Sequence, residues 1–305
     1  MNLFGDKWTF LSFGESHGRA IGGVLDGVPS GLDIDMDMIR TQLLLRSGKN
    51  AVGTSPRAKN EEDEVEWLSG VMDGKTLGTP IAFLIRNTDA RPEDYEWMRT
   101  HFRPGHADYT YQQKYGIRDW RGGGRASARE TAARVVAGSI ARQELEKRHI
   151  FIHAELVQVG NETNPENFDT LLKQIQQEGD SIGGIVRCTV EGLPVGVGEP
   201  VFDKLQSHLA AAMMSINGCK GFDYGTGFDM SKKGSELYPE GQVPCASSGG
   251  IEGGISNGLP VVFRCAFKPA ATLAQRYKGR HDVCIAVRAI PVVEAMTALA
   301  LICTI

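Results

Sequence analysis

Two distant segments share one pattern, and this repeat constrains the fold more than any other feature of the sequence. Residues 21–31 and 182–196 each contain two adjacent glycines, an apolar run, an acidic residue and a Gly-x-Pro-x-Gly turn. Helical patterns follow at 36–45 and at 202–214, where Phe202, Leu205, Leu209 and Met213 have helical spacing. A Gly-x-Pro turn then opens each of two predicted strands, 81–85 and 261–267.

We interpret this pattern as an internal duplication with pseudo-repeats at about 1–150 and 151–305. Two interlocked repeats would share one core, which favours a single α/β domain of the α+β type over 1–305. The alternative is a pair of unrelated Gly-Pro turns. The sequence also predicts an amphipathic helix at 128–148 and a surface helix or loop at 161–180. A nearly all-apolar helix at 291–303, with Pro291 in its first turn, belongs inside the fold or in a subunit contact.

Composition excludes several classes of protein. The 33 Lys and Arg against 37 Asp and Glu give a net charge of −4, which argues against a nucleic-acid binder. The sequence contains no uninterrupted run of about 18 apolar residues, so no membrane span is expected. The first residues also lack a signal-peptide core, so we expect a cytoplasmic protein. The six cysteines form no CxxC pair, which predicts reduced thiols and no metal site. Glycine makes up 37 of the 305 residues, about 12% against a usual share of about 7%. This excess indicates that glycine is used at tight turns and where the backbone comes close to a ligand.

Four segments combine glycine, charge and histidine. His17 lies between glycines at 13–18, on a predicted turn outside the core. In 102–108, charged neighbours could keep His106 protonated near neutral pH, which suits a general acid. Three glycines and several arginines at 118–130 lead into the predicted helix and favour an anion site over a flexible surface turn. In 278–282, Asp282 is a candidate proton-transfer carboxylate, although each histidine or charged loop could instead be structural.

Together these residues favour proton-assisted chemistry on a small molecule that carries phosphate and carboxylate groups. No nucleophile elbow and no HExxH metal motif is present in the sequence.

At these same motifs the sequence resembles the chorismate synthase family. The matching segments are F-G-E-S-H-G at 13–18, D-G-V-P-S-G at 26–31, F-R-P-G-H-A-D at 102–108, Y-G-I-R-D-W-R-G-G-G-R-A-S-A-R-E-T at 115–131, M-S-I-N-G at 214–218, G-G-I-E-G-G-I-S-N-G at 249–258 and K-G-R-H-D-V-C at 278–284. The likeness runs nearly the whole length of the chain.

The resemblance implies a lyase that converts 5-enolpyruvylshikimate 3-phosphate to chorismate and phosphate by anti-1,4-elimination. This is the last step of the shikimate pathway, which leads to the aromatic amino acids. The family requires reduced FMN without net redox change, and NADPH is a candidate reductant. The implied fold is a β–α–β sandwich with largely antiparallel sheets around helices, assembled as a homotetramer, with no nucleic-acid or membrane partner.

The resemblance also assigns residues. His17 is expected beside the flavin, His106 to protonate the departing phosphate, and Asp282 to relay a proton, with Ser16 and Ser127 as polar helpers. The expected flavin contacts are Arg125, Ala126, Ser127, Asn217, Gly218, Gly253, Lys268, Pro269, Ala270, Ala271, Thr272 and Arg280. The expected substrate ligands are Arg46, Arg103, Arg129 and Arg280.

Two departures from the family pattern stand out. The basic run expected ahead of Gly48 reads Leu43-Leu44-Leu45-Arg46, so we expect weak NADPH-dependent flavin reduction. The stretches 158–181, 231–248 and 273–278 are short, either as true deletions or as segments that the printed sequence omits. Two rival interpretations are a non-catalytic flavin- or anion-binding protein on the same scaffold and a lyase for another cyclic phosphate.

Overall fold

Antiparallel strands form two separate sheets in the computed structural model, which describes residues 2–54, 63–277 and 282–305. The strands of the first half are β1 (Leu3–Phe4), β2 (Thr9–Phe13), β3 (Ala20–Asp26), β4 (Val65–Ser69), β5 (Val71–Met72), β6 (Lys75–Thr76) and β7 (Ile81–Arg86). Five of them form a sheet in the order β1-β2-β3-β7-β4, and β5 pairs with β6 in a hairpin.

The second sheet comes from the second half of the chain. Its strands are β8 (Phe151–Val159), β9 (Gly184–Glu191), β10 (Cys219–Tyr224) and β13 (Val261–Phe267). They pair in the order β8-β9-β13-β10, and β11 (Ile251–Glu252) pairs with β12 (Ile255–Ser256) in a separate hairpin. On β13 alternate residues are buried, as expected for a strand with one face on the core, namely Val261, Phe263, Cys265 and Phe267.

The described residues form seven α-helices, two of which connect the two sheets. The helices are α1 (Met36–Ser47), α2 (Asp108–Tyr115), α3 (Thr131–Lys147), α4 (Phe168–Glu178), α5 (Leu205–Met214), α6 (Gly234–Leu237) and α7 (Ala286–Thr304). Helix α3 packs on α7 and on β3 of the first sheet, and α7 packs on β8 and β9 of the second. The predicted α/β fold, a β–α–β sandwich with antiparallel sheets, is confirmed.

The two halves repeat one order of elements. Strands β2-β3-β7-β4 and β8-β9-β13-β10 occupy matching places in their sheets. The hairpin β5-β6 follows β4 in the first half, and the hairpin β11-β12 follows β10 in the second. A helix follows β3 and another follows β9, while α3 and α7 each follow the last strand of their half. This correspondence supports the duplication inferred from sequence, which stays a prediction.

The ends of three predicted helices were wrong. Helix α5 begins at Leu205, because the backbone of Lys204 is extended (φ −62°, ψ 140°). Val201 has a φ of 73°, and Phe202 is exposed in the turn that precedes the helix. Helix α7 begins at Ala286, so Pro291 lies inside it, where buried packing outweighs the missing N–H. The long helix after the glycine run begins at Thr131, preceded by a 3₁₀ turn over Ala128–Glu130.

Helix α7 lies in the core. It is long and apolar enough to cross a membrane by composition, but 83% of that stretch is buried within the described chain. Of the two places predicted for it, the structure therefore supports the interior of the fold. All six cysteines are free thiols, five of them buried, as predicted.

The contact between α3 and α7 depends on the absence of a side chain at Gly138. A Cβ there would lie 2.4 Å from both Cα and Cβ of Ala295. We expect Gly138→Ala to lower the free energy of unfolding by about 1–3 kcal/mol, although alanine is the better helix former. Chemical denaturation measures the change.

Gly221→Ala is the matched control, because a Cβ at that position makes only an ordinary contact of 3.4 Å with Ala266. A Gly138→Ala variant as stable as the parent would show that the two helices do not depend on this close approach.

Candidate active site

A cavity of about 820 Å³ opens between the helix ends and the loops that follow β2, β7 and β13. Ligand sites usually measure about 300–1,000 Å³. Most of the residues predicted from sequence line it: His17, Arg46, Arg103, His106, Arg125, Ala126, Ser127, Arg129, Asn217, Gly218, Lys268, Ala270, Ala271, Thr272 and Asp282. The structure thus brings together residues from all parts of the chain.

A glycine turn joins the two histidines. Gly122 and Gly123 have φ values of 63° and 94°, a region that residues with side chains rarely adopt. A Cβ at position 122 would lie 2.3 Å from Cε1 and Nδ1 of His17, and one at position 123 would lie 2.8 Å from Cε1 of His106. Only glycine allows the turn to contact both rings, so the run predicted as an anion site is also the spacer between the histidines.

His17 lies on the turn between β2 and β3, as predicted, yet it is only 5% exposed. Its Nδ1 lies 3.1 Å from Oγ of Ser16, and its ring meets the edge of Tyr95 at a centroid distance of 4.7 Å. Ser16 is buried behind the ring, so its predicted role as a polar helper is compatible with holding His17 in place.

His106 belongs to a buried group with Arg103 and Asp108. Arg103 donates from Nε and Nη2 to the two oxygens of Asp108, at 2.8 and 2.9 Å. Nδ1 of His106 lies 2.9 Å from Oδ1 of Asp108 and 3.0 Å from Nη2 of Arg103. Both neighbours engage Nδ1, so Nε2 is the nitrogen that His106 presents to a ligand.

The expectation that charged neighbours keep His106 protonated was wrong for the ligand-free protein. Burial, the largest effect, lowers the pKa of His106, and the charges of Arg103 and Lys268 lower it further. The carboxylate of Asp108 opposes them without prevailing. Burial alone would raise the pKa of Asp108, but hydrogen bonds from Arg103 and His106 hold it well below its ordinary value. Asp108 therefore stays ionised, and in the ligand-free protein burial disfavours the charged form of His106.

The predicted cofactor segments form one wall of the cavity. Asn217 donates from Nδ2 to the carbonyl oxygen of Ala126 at 3.0 Å, and the backbone N–H of Lys268 donates to the carbonyl oxygen of Gly218 at 3.0 Å. Arg103 donates from Nη1 to Oγ1 of Thr272 at 3.1 Å, which ties this wall to the histidine side.

Sequence reasoning missed Asp63. Its carboxylate accepts from Arg46 at one oxygen and from Arg129 at the other, and it lines the same cavity. The segment 61–64 reads Glu-Glu-Asp-Glu, a pattern typical of a solvated surface, so no local signal singles out this carboxylate.

Arg288 was also missed. It donates from Nη1 to Oδ2 of Asp282 at 2.7 Å and from Nε to the carbonyl oxygen of Arg46 at 3.0 Å. Its place six residues after Asp282, at the start of α7, is a signal that becomes visible only once that helix is known to begin at Ala286.

Besides Ser16, which is buried behind His17, three predicted residues are absent from the described lining of the cavity. Gly253 is in the turn between β11 and β12, where it lines a second, largely apolar cavity of about 710 Å³, so its flavin contact stays a prediction. Pro269 is not among the described residues that line the cavity, although its neighbours Lys268 and Ala270 are. Arg280 lies outside the described residues.

The cavity carries an excess of positive charge. Eight of its described lining residues are Arg or Lys, against three Asp or Glu. Burial and the nearby charges of Lys220 and Arg103 lower the pKa of Lys268. Such crowding of cations without matching carboxylates is a feature of sites for anions.

Comparisons with known proteins agree with this site. The family model described as chorismate synthase matches residues 8–305. This chain belongs to the chorismate synthase family. The chorismate synthases of Christiangramia forsetii and Phocaeicola vulgatus are 45% and 46% identical to it, over 98% and 99% of this chain and 96% of each relative. It is thus an enzyme of the chorismate synthase type.

A solved structure titled "Crystal Structure of Chorismate Synthase" has the same fold. It is 30% identical, with a TM-score of 0.79 over 99% of this chain and 92% of that one. The alignment with the Christiangramia chorismate synthase runs over 344 positions, whereas this chain has 305 residues. The match therefore contains gaps in this chain, and the positions expected for the short stretches stay a prediction.

The pKa of His106 can be measured directly. We expect its imidazole to titrate below the ordinary value of 6.5 in the ligand-free protein, because burial disfavours the charged ring. Adding inorganic phosphate should move the titration upward, since an anion in the cavity favours imidazolium. A pH series of ¹H–¹⁵N NMR spectra follows the ring, and His106→Gln assigns its signals. A midpoint above 6.5, or one that phosphate leaves unchanged, would contradict the derived electrostatics.

Proposed function

We propose that this chain eliminates phosphate from 5-enolpyruvylshikimate 3-phosphate to give chorismate, by an anti-1,4-elimination that requires reduced FMN without net redox change. Membership of the family already makes it a lyase of the shikimate pathway. The observation that carries the finer proposal is the glycine turn at 122–124, which joins His17 and His106 in one cationic cavity.

The charge of the cavity matches the proposed ligands. The substrate carries one phosphate and two carboxylates, and FMN adds a second phosphate. Eight cationic lining residues against three acidic ones leave a surplus that such a pair of ligands would neutralise. Arginine predominates among them, and its planar guanidinium matches the geometry of both carboxylate and phosphate.

The residues present fit a flavin. Asn217, Gly218 and the segment from Lys268 to Thr272 form a continuous wall that supplies an ammonium, an amide and backbone groups. Arg125 is fixed beside it by donating from Nη2 to Oγ of Ser12 at 2.6 Å. When bound there, reduced FMN would supply an electron transiently and take up the proton that leaves carbon 6 of the substrate.

His106 is the proposed acid for the leaving group. As the bond between carbon 3 and the phosphate oxygen breaks, Nε2 of His106 would donate a proton to that oxygen. The pKa of the imidazole is lowered in the ligand-free cavity, so the substrate's own phosphate would have to raise it. Asp108 supports this by engaging Nδ1 and stabilising the imidazolium. A bound phosphate would thus favour the charged form of the acid that protonates it.

The other proposed roles follow from position. His17, held by Ser16 and Tyr95, would stabilise the charge of the reduced cofactor. Asp282 lines the cavity beside Arg288 and would carry the released proton away. Ser127, whose Oγ accepts from the backbone N–H of Arg129 at 3.4 Å, would help orient the arginine side of the site.

We also propose a homotetramer, on the family resemblance. Exposed apolar residues beside the second cavity support a contact surface there, since Phe228 and Val243 are each 90% exposed.

Turnover tests the function. We expect the anaerobic protein, given 5-enolpyruvylshikimate 3-phosphate and photoreduced FMN, to form chorismate, which is followed by its absorbance. Oxidised FMN should support none. His106→Ala should reduce turnover by about 10²–10⁴-fold while FMN binding stays nearly intact.

The rival interpretations predict different results. A binding protein would take up FMN without any turnover, and a lyase for another cyclic phosphate would leave this substrate unchanged. A loss below about threefold in His106→Ala at saturating substrate would assign His106 a structural role.

A further inference from the structure

Asp63 joins two arginines that come from different parts of the fold. Its Oδ2 accepts from Nη1 of Arg46 at 3.3 Å, and its Oδ1 accepts from Nη1 of Arg129. All three side chains are at most 4% exposed. Arg46 is in the last turn of α1, Arg129 precedes α3, and Asp63 lies just before β4.

Both guanidinium groups also donate hydrogen bonds to neutral groups of the surrounding fold. Arg46 donates from Nε to Oγ1 of Thr131 at 3.2 Å and from Nη2 to the carbonyl oxygen of Ala128 at 3.0 Å. Arg129 donates from Nε to Oδ1 of Asn87 at 2.9 Å. Neutral groups thus hold one side of each guanidinium, and in the described part of the chain Asp63 is the carboxylate that lies between the two like charges.

A second pair of opposite charges lies next to this group. Arg288 donates to the carbonyl oxygen of Arg46 and is paired with Asp282, and these residues line the cavity, whose described lining has more cationic than acidic side chains. Burial alone would raise the pKa of Asp63, but the charges of Arg129 and Arg46 outweigh it and hold that pKa below its ordinary value. Asp63 thus stays ionised beside the two arginines.

We propose that Asp63 is a positioning residue that holds the guanidiniums of Arg46 and Arg129 side by side as one binding element for an anionic group of the substrate. Without its carboxylate the two like charges repel each other, and the two guanidiniums no longer meet at one place. This inference rests on the proposed function, because the ligand is the substrate of that reaction.

The test uses Asp63→Asn, which keeps the shape of the side chain and removes its charge. We expect the KM for the substrate to rise at least about tenfold while kcat changes less than about threefold, because ground-state binding is lost. The rise in Tm that inorganic phosphate gives the parent protein should shrink in the variant. This second readout needs no turnover, so it holds even if the proposed reaction fails.

Glu294→Gln is the matched control. Glu294 is also a buried carboxylate that bridges elements, accepting from Arg142 at 2.7 Å and from the backbone N–H of Ala154 at 2.9 Å, but it does not line the cavity. It should lower Tm without changing KM or the effect of phosphate. If Asp63→Asn behaves in the same way, the role of Asp63 is structural and the proposal is wrong.

A decrease in KM would also overturn the proposal. If Asp63 merely competes with the ligand for the arginines, Asp63→Asn lowers KM and strengthens phosphate binding, which also overturns the proposal. If Asp63→Asn does not fold, Asp63→Glu keeps the charge but displaces it by one methylene. For Asp63→Glu we expect KM to rise about threefold or more, and an unchanged KM would contradict the proposed role of Asp63.

A double variant shows whether Asp63 acts through the arginines. In an Arg129→Gln background, Asp63→Asn should raise KM further by less than about threefold, since the pair it holds is already broken. A full, multiplicative increase would show that Asp63 acts independently of Arg129.

Discussion

The close approach of the glycine turn to two imidazole rings is the constraint on which the site depends. Neither Gly122 nor Gly123 has room for a Cβ, because His17 and His106 occupy that space. The turn therefore fixes the distance between two histidines that lie far apart in the sequence. It also begins the segment that leads into α3, so the same backbone links the histidines to Arg125 and Arg129.

Buried charge shapes the rest of the cavity. Arg103 with Asp108, Arg46 and Arg129 with Asp63, and Arg288 with Asp282 are fixed pairs or triads, so their arginines are held in place before a ligand arrives. Because these arginines are immobilised on folding, a bound anion need not order them, which favours both binding and catalysis. Cationic residues outnumber acidic ones in the described lining, and burial lowers the pKa of His106, so we expect an anion in the cavity to favour the charged imidazole.

Much of this could be predicted from sequence, for identifiable reasons. The Gly-Pro repeats marked strand entries in both halves, and β13 has the predicted bounds because the turn Gly258-Leu259-Pro260 shows where that strand begins. The residues at which helices begin were harder to predict from the sequence. No local signal shows that Pro291 is tolerated inside α7 or that Val201 adopts a positive φ. The motif residues were found because histidine and glycine are conspicuous on predicted turns.

The parts that could not be predicted depend on distant pairing. Asp63 reads as one of four acidic residues in a row, and only the fold brings it between Arg46 and Arg129. The protonation of His106 was inferred from its charged neighbours, whereas burial, which a sequence does not show, determines the direction of its shift. Family membership, in contrast, follows from motifs spread over nearly the whole chain.

The central claim is that one cationic cavity holds the flavin and the anionic substrate together. Calorimetric titration of FMN, with and without 5-enolpyruvylshikimate 3-phosphate, tests it most directly. The account predicts that substrate tightens FMN binding, within the range of about 5–150-fold that is typical of coupled sites, because each ligand excludes water from the other. Equal affinities in the two titrations would show that the ligands do not share the cavity and would contradict the account.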